Sequence, residues 1–222
     1  MDLIRILTSA VDAVDPFTRG RTYRFTRFCR AVGRDLGLSE VELRDLEMAA
    51  CLHDIGRSYA HHDRLRAGGR LDKTAKEVFR AHPAAGYELF RKIDALAGAV
   101  EMILAHHEQP DGKGYPRGLA GDEIPVGSRI IMVVAAFEAM TSDRPYRHGL
   151  SPSEACEELS RHAGTMFFRD VVESFIRLHG SGELFAGFED EELKRYASGE
   201  YSSRAAEGFL ASRGMKADEE AA

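Results

Sequence analysis

The sequence has no tryptophan and only three cysteines in 222 residues. Cys29, Cys51 and Cys156 are far apart and in no C-x-x-C pairing, so neither a disulfide framework nor a thiolate zinc site is expected. A reducing, cytoplasmic setting fits that usage. Long apolar runs are missing too. The longest, Ile130 to Phe137, falls far short of the ~20 residues that cross a bilayer, so no membrane insertion is expected. Met1-Asp2-Leu3-Ile4-Arg5 lacks the basic-then-apolar build of a signal peptide. Positive charge is not in excess: 36 acidic against 30 basic side chains give a net charge of -6, which excludes general nucleic-acid binding along the surface. What is present is ordinary for a chain with a real core, 44% hydrophobic and 30% charged residues. At roughly 150 residues per domain, this is one domain with an appendage or two small ones.

Alternating β patterns are nearly absent, and helical periodicity predicts an all-α fold. A first helix spans Leu3 to Val14, stopped by Asp15-Pro16, and a second runs from about Thr18 to Leu36 before Gly37. Ser39 and Glu42 form a capping box for a helix that carries His53-Asp54 at its end. A charged loop, Arg57 to Leu71, leads to a helix from about Thr74 to Ala81, and His82-Pro83 opens the next, covering Ala84 to Ile93. Another covers Leu96 to about His107. The string Gln109-Pro110-Asp111-Gly112-Lys113-Gly114-Tyr115-Pro116 is too dense in turn formers to be helical. Helices are further predicted from Pro125 through Met140, over Ser153 to Ala163, and over Arg169 to Leu178. The domains are accordingly an N-terminal helix over 1–14, a main domain over 15–180, and an acidic extension over 181–222, partly helical at Glu189 to Tyr196 and then flexible. With only the segment before Asp15 preceding the main domain, no fused sensor is expected.

Five metal-capable groups fall at or beside helix ends: His53, Asp54, His82, His106 and His107. If the ends converge, these N and O donors suit a divalent transition ion such as iron, manganese, nickel or zinc. Spacing alone leaves the alternative open, because a His-His or His-Asp pair is commonly just hydrogen-bonded or solvent-facing, as His61-His62 is expected to be. Arg19, Arg21, Arg24, Arg27, Arg30 and Arg34 recur mostly three apart, either as a solvated cationic face or as a nucleotide or partner surface. Cys51 reads as a buried apolar residue.

The wording around the imidazoles adds more. Leu52-His53-Asp54-Ile55-Gly56, His82-Pro83-Ala84-Ala85-Gly86, the stretch from His106 to Pro116, and Thr141-Ser142-Asp143-Arg144-Pro145-Tyr146-Arg147 resemble the HD-GYP family in order and spacing, over about Asp15 to Phe175. That resemblance implies an HD-superfamily helical bundle with a GYP loop (Asp111, Gly112, Gly114, Tyr115, Pro116), and metal-dependent hydrolysis of cyclic di-GMP. It implies that His53 and Asp54 are the catalytic HD pair, that Asp54 bridges two ions, and that His82, His106 and His107 complete the second ion's shell. Arg57, in the place of the family's lysine, would hold ligand phosphates with Arg144 and Arg147, and Arg21 joins them as a fixed positive charge around the pocket. A GGDEF-domain protein docking on the Gly-Tyr-Pro loop is the implied partner.

The departures from that pattern point to lost catalysis. Thr18-Arg19-Gly20-Arg21 has Arg21 where the family has a metal-binding His, and Val134-Ala135-Ala136-Phe137-Glu138 has Ala135 where it has an Asp. Phe17 stands where members with a third ion carry Glu, and Gly164-Thr165-Met166-Phe167-Phe168-Arg169 has also lost its Asp. A guanidinium, protonated below pH ~12, repels a metal rather than ligating it. Arg21 is therefore expected to fill the first metal's space, with at most one ion on Asp54, His82, His106 and His107. The readings that follow are a weak or inactive phosphodiesterase that still binds a cyclic dinucleotide, an active phosphodiesterase with a reduced metal centre, and an interaction scaffold.

Overall fold

A computed structural model describes residues 21–59, 77, 79–142 and 148–186. Within them lie seven α-helices and no β-strand: α1 (Arg21–Asp35), α2 (Glu40–Leu52), α3 (His82–Phe90), α4 (Ala97–Ala105), α5 (Val126–Thr141), α6 (Pro152–Arg161) and α7 (Arg169–Ser181). The helix predicted over Leu3 to Val14, the loop and helix start predicted within 60–76, and the helix predicted over Glu189 to Tyr196 lie outside these residues.

Helix boundaries follow local chemistry. At α2 the Glu42 carboxylate accepts the Ser39 N–H at 2.8 Å while Ser39 Oγ caps Glu42 N, the reciprocal pairing expected of a capping box. The same device at Ser151 and Glu154, with Pro152 in the first turn, starts α6 slightly ahead of the predicted Ser153. Helix α7 outlasts its predicted end at Leu178, running through Gly180 to Ser181, and Gly182, at φ 79°, takes the left-handed stop. The predicted Leu96–His107 helix divides into a 3-10 turn, Asp94–Leu96, and α4. It ends early because the His107 carbonyl accepts the Tyr115 N–H at 3.1 Å instead of continuing the helical ladder.

Helix α5 is the hub, packing against α1, α2, α4, α6 and α7. Its residues Ile130, Ile131, Val133, Val134 and Phe137 are fully buried, and they meet Phe28 and Leu46 from α1 and α2, Ile103 from α4, and Phe175 from α7. Burying each such side chain stabilises by about 1.5–3 kcal/mol. The arginine periodicity of α1 has a different use from a solvated face. Arg24 is buried and holds Glu138 of α5 through two bonds, Nε to Oε1 at 3.1 Å and Nη2 to Oε2 at 2.7 Å. Arg30 ties α1 to Glu40 and Glu47 of α2, and Arg27 donates to the Ala186 carbonyl. Among the described residues, Arg24, Arg27 and Arg30 are intramolecular clamps that fix α1 beside the other helices, while Arg34 is exposed.

One glycine places the site. Directly after the His-Asp pair, the 3-10 turn Ile55–Tyr59 runs against the start of α3, and a Cβ on Gly56 would lie 2.1 Å from the His82 carbonyl oxygen. Only glycine permits that approach, which brings the end of α2 and the start of α3 together.

Candidate metal centre and the loop beside it

Three helix ends meet at one point. His53 caps the C-terminus of α2, His82 begins α3, and His106 caps the C-terminus of α4 with His107 following. Each of the first three imidazoles is oriented alike: Nδ1 donates to the carbonyl three residues earlier, His53 to Ala50 at 2.8 Å, His82 to Phe79 at 2.6 Å, and His106 to Ile103 at 2.6 Å. That bond fixes the tautomer and leaves a lone pair on every Nε2.

Those lone pairs face one another. His82 Nε2 lies 3.1 Å from His106 Nε2 and 3.2 Å from Asp54 Oδ1, and His53 Nε2 lies 3.3 Å from Asp54 Oδ2. His107 Nε2 and Asp54 Oδ1 are buried with no hydrogen-bond partner. Acceptors set against acceptors need a cation between them. Protons are a poor choice for that cation, since burial and the neighbouring imidazoles push His106 well below the ordinary histidine range, and burial with His82 pushes His107 down to about 3. A divalent metal fits, and the ligand atoms of His82, His106 and His107 all lie within 4.8 Å of one another.

Asp54 is electrostatically divided. Burial pushes its carboxyl up, but the Arg57 guanidinium leads the opposing influences, and the carboxyl is held well below the usual carboxylate range. Arg57 Nη1 lies 2.9 Å from Oδ2, and its guanidinium carbon lies 4.8 Å from the Phe79 ring centre. Arg57 Nε is buried and unpartnered. Among the described atoms, then, Arg57 faces the aspartate. Phe25 of α1 stacks on His53 at 4.8 Å and 17°, closing that side of the cluster with an apolar ring. Arg144 and Arg147 lie outside the described residues. Arg21 opens α1, but its side chain lies outside them, and Ala135 packs against the core from α5.

The loop after His107 is held by a residue that the sequence reading leaves without a role. Glu108, only 1% exposed, accepts the backbone N–H groups of Arg117, Gly118 and Leu119 at 2.6, 3.1 and 3.1 Å. An acid between two histidines and a turn-rich string was the available signal. Gly114 passes so close that a Cβ there would lie 2.4 Å from Glu108 Cα, and Gly112 sits at φ 75°. Asp111 closes the turn by accepting from Lys113 N at 3.1 Å. Tyr115, ahead of the exposed Pro116, turns inward and stacks on His107 at 4.7 Å and 17°. Arg80, not among the sequence candidates, lies over the Tyr115 ring at 4.6 Å.

Nitrogen and oxygen donors converging from helix ends in an all-α bundle define a helical domain with a candidate metal site. Residues 5–171 match the family described as HD domain. The chain is 30% identical over 210 residues to a cyclic di-GMP phosphodiesterase of Thermotoga maritima, covering 93% of this chain and 57% of that protein. It is 35% identical over 188 residues to the cyclic di-GMP phosphodiesterase response regulator RpfG of Xanthomonas campestris pv. campestris, covering 82% and 48%. Among solved structures, a cyclic GMP-AMP specific phosphodiesterase of Vibrio cholerae superposes with a TM-score of 0.63 at 21% identity, over 95% of this chain and 61% of that one. An HDG"Y"P protein from Bdellovibrio bacteriovorus superposes at 0.58 with 18% identity, over 79% and 59%. The chain belongs to the HD-domain family, in its HD-GYP branch. It spans about half the length of the curated relatives it matches. Among the described residues no helix is long and apolar enough to cross a membrane.

Proposed function

We propose that this domain binds cyclic di-GMP or a related cyclic dinucleotide at a one-ion centre and hydrolyses it weakly or not at all. The division of Asp54 carries the reading. Its Oδ1 faces the imidazole cluster while Oδ2 is engaged by Arg57, so one carboxylate oxygen is left for metal rather than two for a bridge. Asp54, His82, His106 and His107 would hold the ion. Bound there, a divalent metal acidifies a water and offsets charge on phosphoryl oxygens. The chain's own contribution is to fix the imidazole tautomers through the Phe79 and Ile103 carbonyls, exclude water with Phe25 and Phe79, and keep Asp54 ionised.

Relatives named as cyclic di-GMP and 3'3'-cGAMP phosphodiesterases support the substrate class. Arg21 and Ala135, at positions where the family carries ligands, support the loss of a second ion. Docking of a GGDEF-domain protein is the subordinate reading. It would have to use the exposed Pro116, Arg117 and Gly118, because Tyr115 is turned onto His107.

Turnover of cyclic di-GMP by Mn²⁺-loaded protein tests the proposal. The unmodified chain is expected to be orders of magnitude slower than Arg21→His/Ala135→Asp, in which the two-ion ligands are restored. Robust turnover that His53→Ala abolishes would replace the weak-enzyme reading with an active phosphodiesterase. Robust turnover indifferent to His53→Ala would refute the site.

A further inference from the structure

Arg80 precedes His82 by two residues and is exposed beside the metal cluster. Among the described residues it makes no ion pair or hydrogen bond, and its partner is the face of Tyr115, 4.6 Å away. Arg30, Arg91, Arg117, Arg161 and Arg177, by contrast, each engage a carboxylate. Tyr115 in turn lies nearly parallel to His107. Tyr115 thus contacts both a candidate metal ligand, His107, and an uncommitted planar cation, Arg80.

A guanidinium lying on an aromatic face keeps its in-plane N–H fork free, the geometry that grips phosphate oxygens bidentately. The ring beneath it does not neutralise it. A tyrosine hydroxyl is uncharged at neutral pH, so it gives Arg80 no anionic partner. Glu77, exposed and three residues earlier on the same helical segment, does not pair with Arg80. Arg57 has its charge directed at Asp54, so Arg80 is the described cation at this rim left to meet an incoming anion.

We propose that Arg80 is a phosphate-contacting residue of the nucleotide site, held in place by Tyr115 stacked on His107. The proposal rests on the cyclic-dinucleotide reading for the identity of the phosphate's owner, and on the stack alone for the site itself. Tyr115 is a positioning residue here, since it acts through Arg80.

Calorimetric titration of the metal-loaded full chain, with cyclic di-GMP and separately with inorganic phosphate, tests it. Arg80→Ala is expected to weaken both by about tenfold or more, the loss of one charge-assisted hydrogen bond, with metal content unchanged. Arg80→Lys keeps the charge without the fork and is expected to recover part of the loss. Tyr115→Leu should resemble Arg80→Ala, whereas Tyr115→Phe should bind like wild type because the ring is kept. Equal cyclic di-GMP binding by wild type and Arg80→Ala overturns the proposal and leaves the cyclic-dinucleotide reading standing. Weakened phosphate binding in a protein whose wild type ignores cyclic di-GMP supports Arg80 and overturns that reading instead. A wild type that binds neither overturns both, and an Arg80→Ala chain that has lost its metal assigns Arg80 a structural role and overturns the proposal.

Discussion

Arg24→Met removes one half of the buried ion pair that joins α1 to α5. The side chains of Arg24 and Glu138 are 5% and 10% exposed, and the two bonds between them are parallel. Truncating the arginine leaves a carboxylate facing apolar surroundings with its fork gone. Breaking such a pair costs about 3–5 kcal/mol, whereas an arginine on a solvated face would cost less than ~1 kcal/mol. At about 2–4 °C per kcal/mol for a chain of this size, Tm should fall by about 6–20 °C. The double variant Arg24→Met/Glu138→Leu removes both charges and should regain most of that loss, because an apolar pair of similar volume replaces a desolvated one. Thermal unfolding followed by circular dichroism, on the two single variants and the double, gives the coupling directly. A fall of less than about 2 °C for Arg24→Met, or a double variant no more stable than the single, would refute the assignment of this pair as a clamp.

Glu108→Gln places an amide NH₂ against at least one of the three loop N–H donors, so it should cost about 1–3 kcal/mol and speed amide exchange at Arg117, Gly118 and Leu119. Unchanged exchange there would show that the carboxylate does not hold the loop. His179 should make stability fall with acid. Its ring sits among Phe137, Phe175 and Phe185 with Nε2 buried and unpartnered, and burial lowers its pKa. The folded chain then binds fewer protons than the unfolded one below pH ~6.5, so stability is lost as pH drops through that value. His179→Phe should flatten the decline in urea midpoint between pH 7 and 5, and an identical slope in both proteins would contradict the assignment.

The helix-end imidazoles were legible because each sits at a boundary marked by local signals, a capping box before α2 and Pro83 in the first turn of α3. Their order along the chain, and the motif around them, then carried the family. What escaped the sequence depended on partners far away or on backbone. Arg24 reads as surface because its partner Glu138 is 114 residues distant. Glu108 is invisible as a clamp because it binds amides, which every residue has. Arg57 faces Asp54 rather than outward because the 3-10 turn brings residues three apart onto one side, a geometry the helical pattern of α2 does not announce. Arg80 gains its meaning only when the loop folds Tyr115 back beneath it.

Asp54, His82, His106 and His107 are proposed to hold one transition ion. Elemental analysis of the full chain purified without chelator, beside His106→Ala, tests it most directly. A single ion per wild-type chain is expected, and its loss in His106→Ala, where one of the facing Nε2 lone pairs is gone. Two or more ions per chain, or a metal content that His106→Ala leaves undiminished, would contradict it.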